Sequence, residues 1–182
     1  MARRTPLLVL GLGNLICGDD GLGVDAVLQL QREYDAPEGA RVLDGGTLGL
    51  ALLPEIELAE RAILVDAVRD EAPVGSFVRL EGDHVAPAVA ARLSPHQVGV
   101  ADLLEAARWL GRYPKSVLLL GLVPGSIELG LERSAAVEAN LRLLVERVVE
   151  EAGRLGFEFR AREDHEPPAG ARAADGTGIL RV

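Results

Sequence analysis

Four short runs rich in Leu, Val and Ile, at 7–10, 41–43, 62–65 and 117–120, each break off at a glycine or an aspartate. Runs this short, bounded by turn residues, read as buried strands. Between them the apolar residues switch to helical spacing. The longest stripe is Val137, Leu141, Leu144, Val145, Val148, Ala152 and Leu155, stopped by Gly156. A second stripe, Val100, Leu103, Leu104, Ala107 and Leu110, follows Ser94-Pro95-His96-Gln97. There serine can cap, proline suits the first helical position and glutamine the capping-box position, so a helix start is expected at Ser94. Shorter helices are expected around 50–58 and after Asp19 or Asp20, either of which can cap a helix carrying Val24, Val27 and Leu28. Segment 76–80 alternates apolar with polar residues and reads as a strand nearer an edge. Strands alternating with helices imply an α/β sandwich around a mostly parallel sheet. A chain of 182 residues suits one such domain, expected over 1–159. Residues 160–182 lose all periodicity to Ala, Gly, Pro and charge, and read as a flexible tail.

The net charge of −9 argues against nucleic acid as a partner, since that task needs a positive footprint. No apolar run reaches the roughly 18 residues a membrane span requires. The run after the basic N-terminus is too short for a signal-peptide core. A single cysteine fits a reducing compartment. The expectation is a cytoplasmic monomer with neither membrane nor nucleic acid as partner.

Ligands of open α/β sheets bind beyond the carboxyl ends of the strands. Asp19 and Asp20 follow the first run, Asp44 the second and Asp66 the third, and His96 falls in the first turn of the helix expected from Ser94. Gathered at one edge, four acids and an imidazole are costly unless a cation or a proton compensates. Each also has a plainer reading. One of Asp19 and Asp20 can be a helix cap, which leaves the other spare. Asp66 could be a turn residue, although its apolar flanks suggest burial, where an acid needs a partner. His96 could ride an exposed helix end, or be held neutral there in the form a metal requires. His84 in a polar loop and His165 in the tail read as solvent-facing. Cys17 could be a nucleophile, but two neighbouring carboxylates disfavour a thiolate, so the inert reading is preferred. The turn Gly11-Leu12-Gly13-Asn14 invites a dinucleotide reading, with Asp44 as the ribose-binding acid. Against it, the third glycine of that fingerprint is Ile16, and acids stand where a pyrophosphate wants bare backbone donors.

Taken together, Gly11-Leu12-Gly13-Asn14, Gly18-Asp19-Asp20-Gly21-Leu22-Gly23-Val24, Asp44-Gly45-Gly46-Thr47, Val65-Asp66-Ala67-Val68 and Ser94-Pro95-His96-Gln97 resemble the hydrogenase maturation proteases in order and spacing. The resemblance covers about Leu7 to Gly156. It implies a three-layer α/β/α sandwich whose twisted, mostly parallel sheet has five strands, one of them antiparallel. It implies an endopeptidase that trims the C-terminal extension of an immature nickel-iron hydrogenase large subunit after nickel insertion. By position it makes Asp20, Asp66 and His96 a metal-binding and catalytic trio, with Asp44 and Asp19 in support. Glutamate is common in the first of these roles; aspartate here is one methylene shorter. The metal implied is a divalent ion, nickel first, which the substrate itself could supply. Two carboxylates and an imidazole suit such an ion and leave positions open. Either a metal or an unmetallated aspartate acting as general base could drive hydrolysis. No HExxH motif is present, which sets the ordinary zincins aside. Two other readings stay open, a nucleotide- or dinucleotide-binding module and a nickel-binding chaperone that uses the trio without proteolysis. Substrate selectivity is expected in loops, with 69–95 a candidate.

Overall fold

The computed structural model describes residues 4–90, 99–162 and 180–181. In chain order it holds strand β1 (Leu7–Leu12), helix α1 (Leu22–Glu33), β2 (Tyr34–Asp35), β3 (Ala40–Gly46), α2 (Leu53–Leu58), β4 (Arg61–Ala67), β5 (Phe77–Glu81), α3 (Val85–Ala90), α4 (Val100–Trp109), β6 (Ser116–Leu122), α5 (Ala135–Arg154), β7 (Arg160–Ala161) and β8 (Leu180–Arg181). The main sheet runs β3-β1-β4-β6-β5-β8. Strands β3, β1, β4 and β6 are parallel, and β5 is antiparallel to β6. These five are the strands expected from the resemblance. The two residues of β8 add a sixth, parallel to β5. A separate ladder joins β2 to β7.

Side chains alternate across each strand, and that alternation builds two cores. Leu7 and Val9, Ile63 and Val65, and Leu118, Leu120 and Leu122 face a cluster completed by Val27 of α1 and by Val137, Leu144 and Val148 of α5. Leu8 and Leu10, Ala62 and Leu64, and Val117 and Leu119 face the other way, against Ile56 of α2 and Leu103 and Leu104 of α4. Each runs through aliphatic side chains whose burial contributes about 1.5–3 kcal/mol apiece. Strands buried on both faces explain why the sequence shows continuous apolar runs instead of alternation. The α5 stripe is buried from Val137 to Ala152 as its spacing predicts, and Gly156 takes a φ of +89° just beyond it.

One expectation changes. Helix α4 begins at Val100 behind an extended Gly99, whose N–H donates to the Asp102 carboxylate at 3.3 Å. The start expected at Ser94-Pro95-His96-Gln97 lies outside the described residues. Strand β5 falls on the stretch 76–80 expected to be a strand, and α3 lies further along the same 69–95 segment. Among the described residues no helix is long and apolar enough to cross a membrane.

Candidate active site

Strand β1 ends at Leu12, and the chain turns back sharply through Gly13, at a φ of +123°. A Cβ on Gly13 would lie 1.7 Å from the Asp20 carbonyl oxygen, so only glycine lets the returning backbone pass. The turn brings the Asn14 N–H onto Asp20 Oδ2 at 2.8 Å, while Asn14 Oδ1 accepts from the Ile16 N–H at 3.2 Å. A 3-10 turn over Gly18–Gly21 then leads into α1. Asp20 is thus oriented by the backbone of its own loop, with its carboxylate partly open to solvent.

Asp19 does something else. It is fully buried, and its two oxygens accept four hydrogen bonds from the connection after β6. Oδ2 takes the Gly125 N–H at 2.7 Å, the Ser126 N–H at 3.1 Å and the Ser134 hydroxyl at 2.6 Å; Oδ1 takes the Ser134 N–H at 2.7 Å. Burial alone would raise its pKa, but the bonds from Ser134, Ser126 and Gly125 outweigh it and hold the carboxyl below its usual range. Neither acid caps a helix, because neither the 3-10 turn nor α1 has a side-chain cap. The helix-cap reading of this pair is therefore corrected: Asp19 clamps a distant loop and Asp20 is the spare carboxylate.

Asp66 closes the β4 run and is fully buried. By alternation it shares its sheet face with Ala62, Leu64 and Val68, the side covered by α2 and α4. Its cross-strand partner is Gly121, where a Cβ would come within 2.1 Å of the Asp66 carbonyl oxygen. The loop bearing Asp20 lies directly alongside, because Gly23 at the start of α1 abuts the strand ends. A Cβ there would meet the Val65 carbonyl oxygen at 2.1 Å and that of Leu12 at 2.5 Å. Asp20 and Asp66 therefore share the carboxyl edge of the sheet, at neighbouring strands. Asp44 stands at the same edge on β3, exposed and in register with Gly11 of β1. His96 and His165 lie outside the described residues. His84 is exposed on the far side of β5 from this edge, as expected. Cys17 is half-buried and pairs with Gly130 through its backbone. Among the described residues no three His, Cys, Asp or Glu side chains are grouped to hold a metal.

The glycines serve packing between backbones. Besides Gly13 and Gly23, a Cβ on Gly11 would strike the Gly23 carbonyl oxygen at 2.3 Å. The loop N–H groups are already taken. Cys17 donates to Asn14, Gly18 to Gly130, Asp19 to Ser126 and Asp20 to Cys17, all at 2.7–3.0 Å. A pyrophosphate would find no ring of bare donors here, which overturns the dinucleotide reading. One feature escaped the sequence altogether, namely Gly125, Ser126 and Ser134 as partners of Asp19. Nothing in their local pattern signals a residue more than a hundred positions away.

Fold and edge together define a doubly wound α/β protein whose sheet ends in carboxylates instead of a phosphate cradle. Residues 24–151 match the family model described as hydrogenase maturation protease. The chain belongs to that family and is an endopeptidase, a hydrolase of peptide bonds. It is 35% identical over 159 residues to the hydrogenase 2 maturation protease of Escherichia coli, covering 86% of this chain and 96% of that one. It is 36% identical over 166 residues to the hydrogenase expression/formation protein HupD of Thiocapsa roseopersicina, covering 90% and 75%. The solved structure of the hydrogenase maturating endopeptidase HybD from Escherichia coli superposes with a TM-score of 0.82 at 34% identity, covering 88% of this chain and 99% of that one. As an endopeptidase the chain is not a mere binding module, and the chaperone reading without proteolysis falls with it.

Proposed function

We propose that this endopeptidase removes the C-terminal extension of an immature nickel-iron hydrogenase large subunit. It does so as a cytoplasmic monomer after nickel insertion, and it senses the substrate's nickel through Asp20, Asp66 and His96. The observation that supports this most directly is the placement of Asp20 and the buried Asp66 at adjoining strand ends of one sheet edge. Two carboxylates and an imidazole are a donor set that accepts a borderline divalent ion and leaves coordination positions free. Asp66 is held rigidly by its strand. Asp20 has one oxygen engaged by the Asn14 N–H, which leaves the other to reach outward. A metal at such a trio would polarise the scissile carbonyl. The residues themselves orient the substrate's metal-bearing end, and a free carboxylate oxygen can take a proton from an attacking water. Asp44, exposed one strand further along, supports the substrate.

Purified precursor large subunit should lose its C-terminal extension when it carries nickel and stay intact when it does not, although the peptide bond is identical. Intact-mass measurement reads this directly, and equal cleavage of both forms would remove the metal-sensing reading. A stability measurement checks the trio separately. Ni²⁺ at a hundredfold excess over its Kd should stabilise the wild type by about 2.7 kcal/mol, a rise in Tm on the order of 5–10 °C. In His96→Ala the rise should be much smaller, and an equal rise would take His96 out of the site.

A further inference from the structure

Most exposed apolar side chains on a folded protein stand singly and need no explanation. Four here do not stand singly. Leu129 is 81% exposed, Leu131 78%, Ile16 53% and Leu15 44%. They lie on two loops that the backbone stitches together. The Gly130 N–H donates to the Ile16 carbonyl at 2.9 Å and the Gly18 N–H donates to the Gly130 carbonyl at 2.7 Å, so that Cys17 and Gly130 form a parallel bridge. The bridge brings Leu129 and Leu131, which flank Gly130, beside Ile16 in the loop that carries Asp20.

This ridge is not a floppy tip. The four bonds to Asp19 pin the connection at Gly125, Ser126 and Ser134, on both sides of the leucines. A rigid, paired, solvent-facing leucine ridge costs solubility and does nothing for the core. Beside it lies a depression of about 460 Å³ floored by Gly18 and flanked by Glu128, Leu129, Leu131 and Glu132. Gly18 has a φ of +53°, and a Cβ on it would approach the carbonyl oxygens of Ser126, Glu132 and Glu128 at 2.9–3.6 Å. Two acidic residues, Glu128 and Glu132, are thus among the lining of a depression whose floor is crowded by carbonyl oxygens. Neither Glu128 nor Glu132 makes an ion pair with a described residue, whereas Arg133 between the loop and α5 is engaged by Asp25 and Glu138.

We propose that this ridge and depression form the docking surface for the protein substrate, seating a segment with apolar side chains next to a lysine or arginine. The apolar residues pack on Leu129, Leu131 and Ile16, and the cation enters the acidic depression. Charge complementarity sets the choice of a basic segment, because Glu128 and Glu132 both line the depression and, among the described residues, none of the opposite charge lines it. Its position on the carboxyl edge, continuous with the Asp20 loop, sets the choice of substrate over another partner. The inference rests on the function proposed above.

The test uses full-length protein and purified nickel-loaded precursor, and it reads both Kd and cleavage. Leu129→Ser/Leu131→Ser should raise Kd and KM at least about tenfold, as truncating central interface anchors does, with Tm unmoved because both side chains are exposed. Glu128→Gln/Glu132→Gln should weaken binding at low salt and flatten its salt dependence. Trp109→Ser, which removes a 90% exposed apolar side chain from the end of α4, should leave Kd unchanged. Wild-type affinity in both double variants overturns the docking surface while leaving the proposed function standing. A wild-type protein that binds the precursor without cutting it overturns the proposed function, and the same Kd comparison still decides the ridge. No binding by the wild type overturns both.

Discussion

Asp66→Asn is expected to abolish processing of the nickel-loaded precursor while the protein stays folded. The substitution is nearly isosteric at a fully buried position, so packing between Leu64 and Val68 is kept. What disappears is the negative charge and one of the two oxygens as an acceptor, and with them the pull on a metal or on a water proton. A loss of at least about 100-fold is expected, the scale of a missing acid–base group. Asp20→Asn and His96→Ala should behave alike, since a trio that loses one member holds too little. Cys17→Ser should remain largely active, because the bridge that joins Cys17 to Gly130 is made by the backbone and not by the thiol. Intact-mass kinetics on the precursor, alongside circular dichroism of each variant, checks all four. An Asp66→Asn protein that cuts at the wild-type rate would take this residue out of the chemistry, and an inactive but folded Cys17→Ser would move the nucleophile to the thiol.

Asp19→Ala should cost the fold heavily, because this buried carboxylate clamps the connection after β6. It strands three backbone N–H groups and one hydroxyl that now converge on a single carboxylate. Leaving buried donors unsatisfied costs about 1–3 kcal/mol each, partly relieved as the loop opens to water. A net loss of about 3–5 kcal/mol follows, on the order of 10 °C in Tm for a domain of this size. Asp19→Asn should also be poor, because an amide NH₂ would face donors. The pH dependence has a definite sign. The folded-state pKa of Asp19 is lowered, so its stabilisation is present above the ordinary aspartate range and is lost as pH falls through the lower folded value. Wild type should therefore lose stability on acidification through that window, and the two variants should lose less. Thermal denaturation between neutral and strongly acidic pH measures this, and parallel curves for wild type and Asp19→Ala would contradict the clamp.

Local repetition was enough to read most of the scaffold. The α5 stripe is buried where helical spacing puts it, and the runs at 7–10, 62–65 and 117–120 are central strands. Five short motifs in order also sufficed for the family, and several of their glycines, Gly11, Gly13 and Gly23 among them, mark backbone approaches too close for a Cβ. The same sequence could not tell Asp19 from Asp20. The two are adjacent, equally able to cap and equally acidic. Only the fold makes one a clamp on a distant loop and holds the other by the backbone of its own loop. It likewise gave no sign that Leu129 and Leu131 stand in solvent, since exposed and buried leucines are spelled identically. The physical reason is range. Periodicity, capping and turn chemistry act over a few residues, so they are written along the chain. The partners of Asp19 lie 106, 107 and 115 positions away, and they meet it only because β1 and β6 end at the same edge of one sheet.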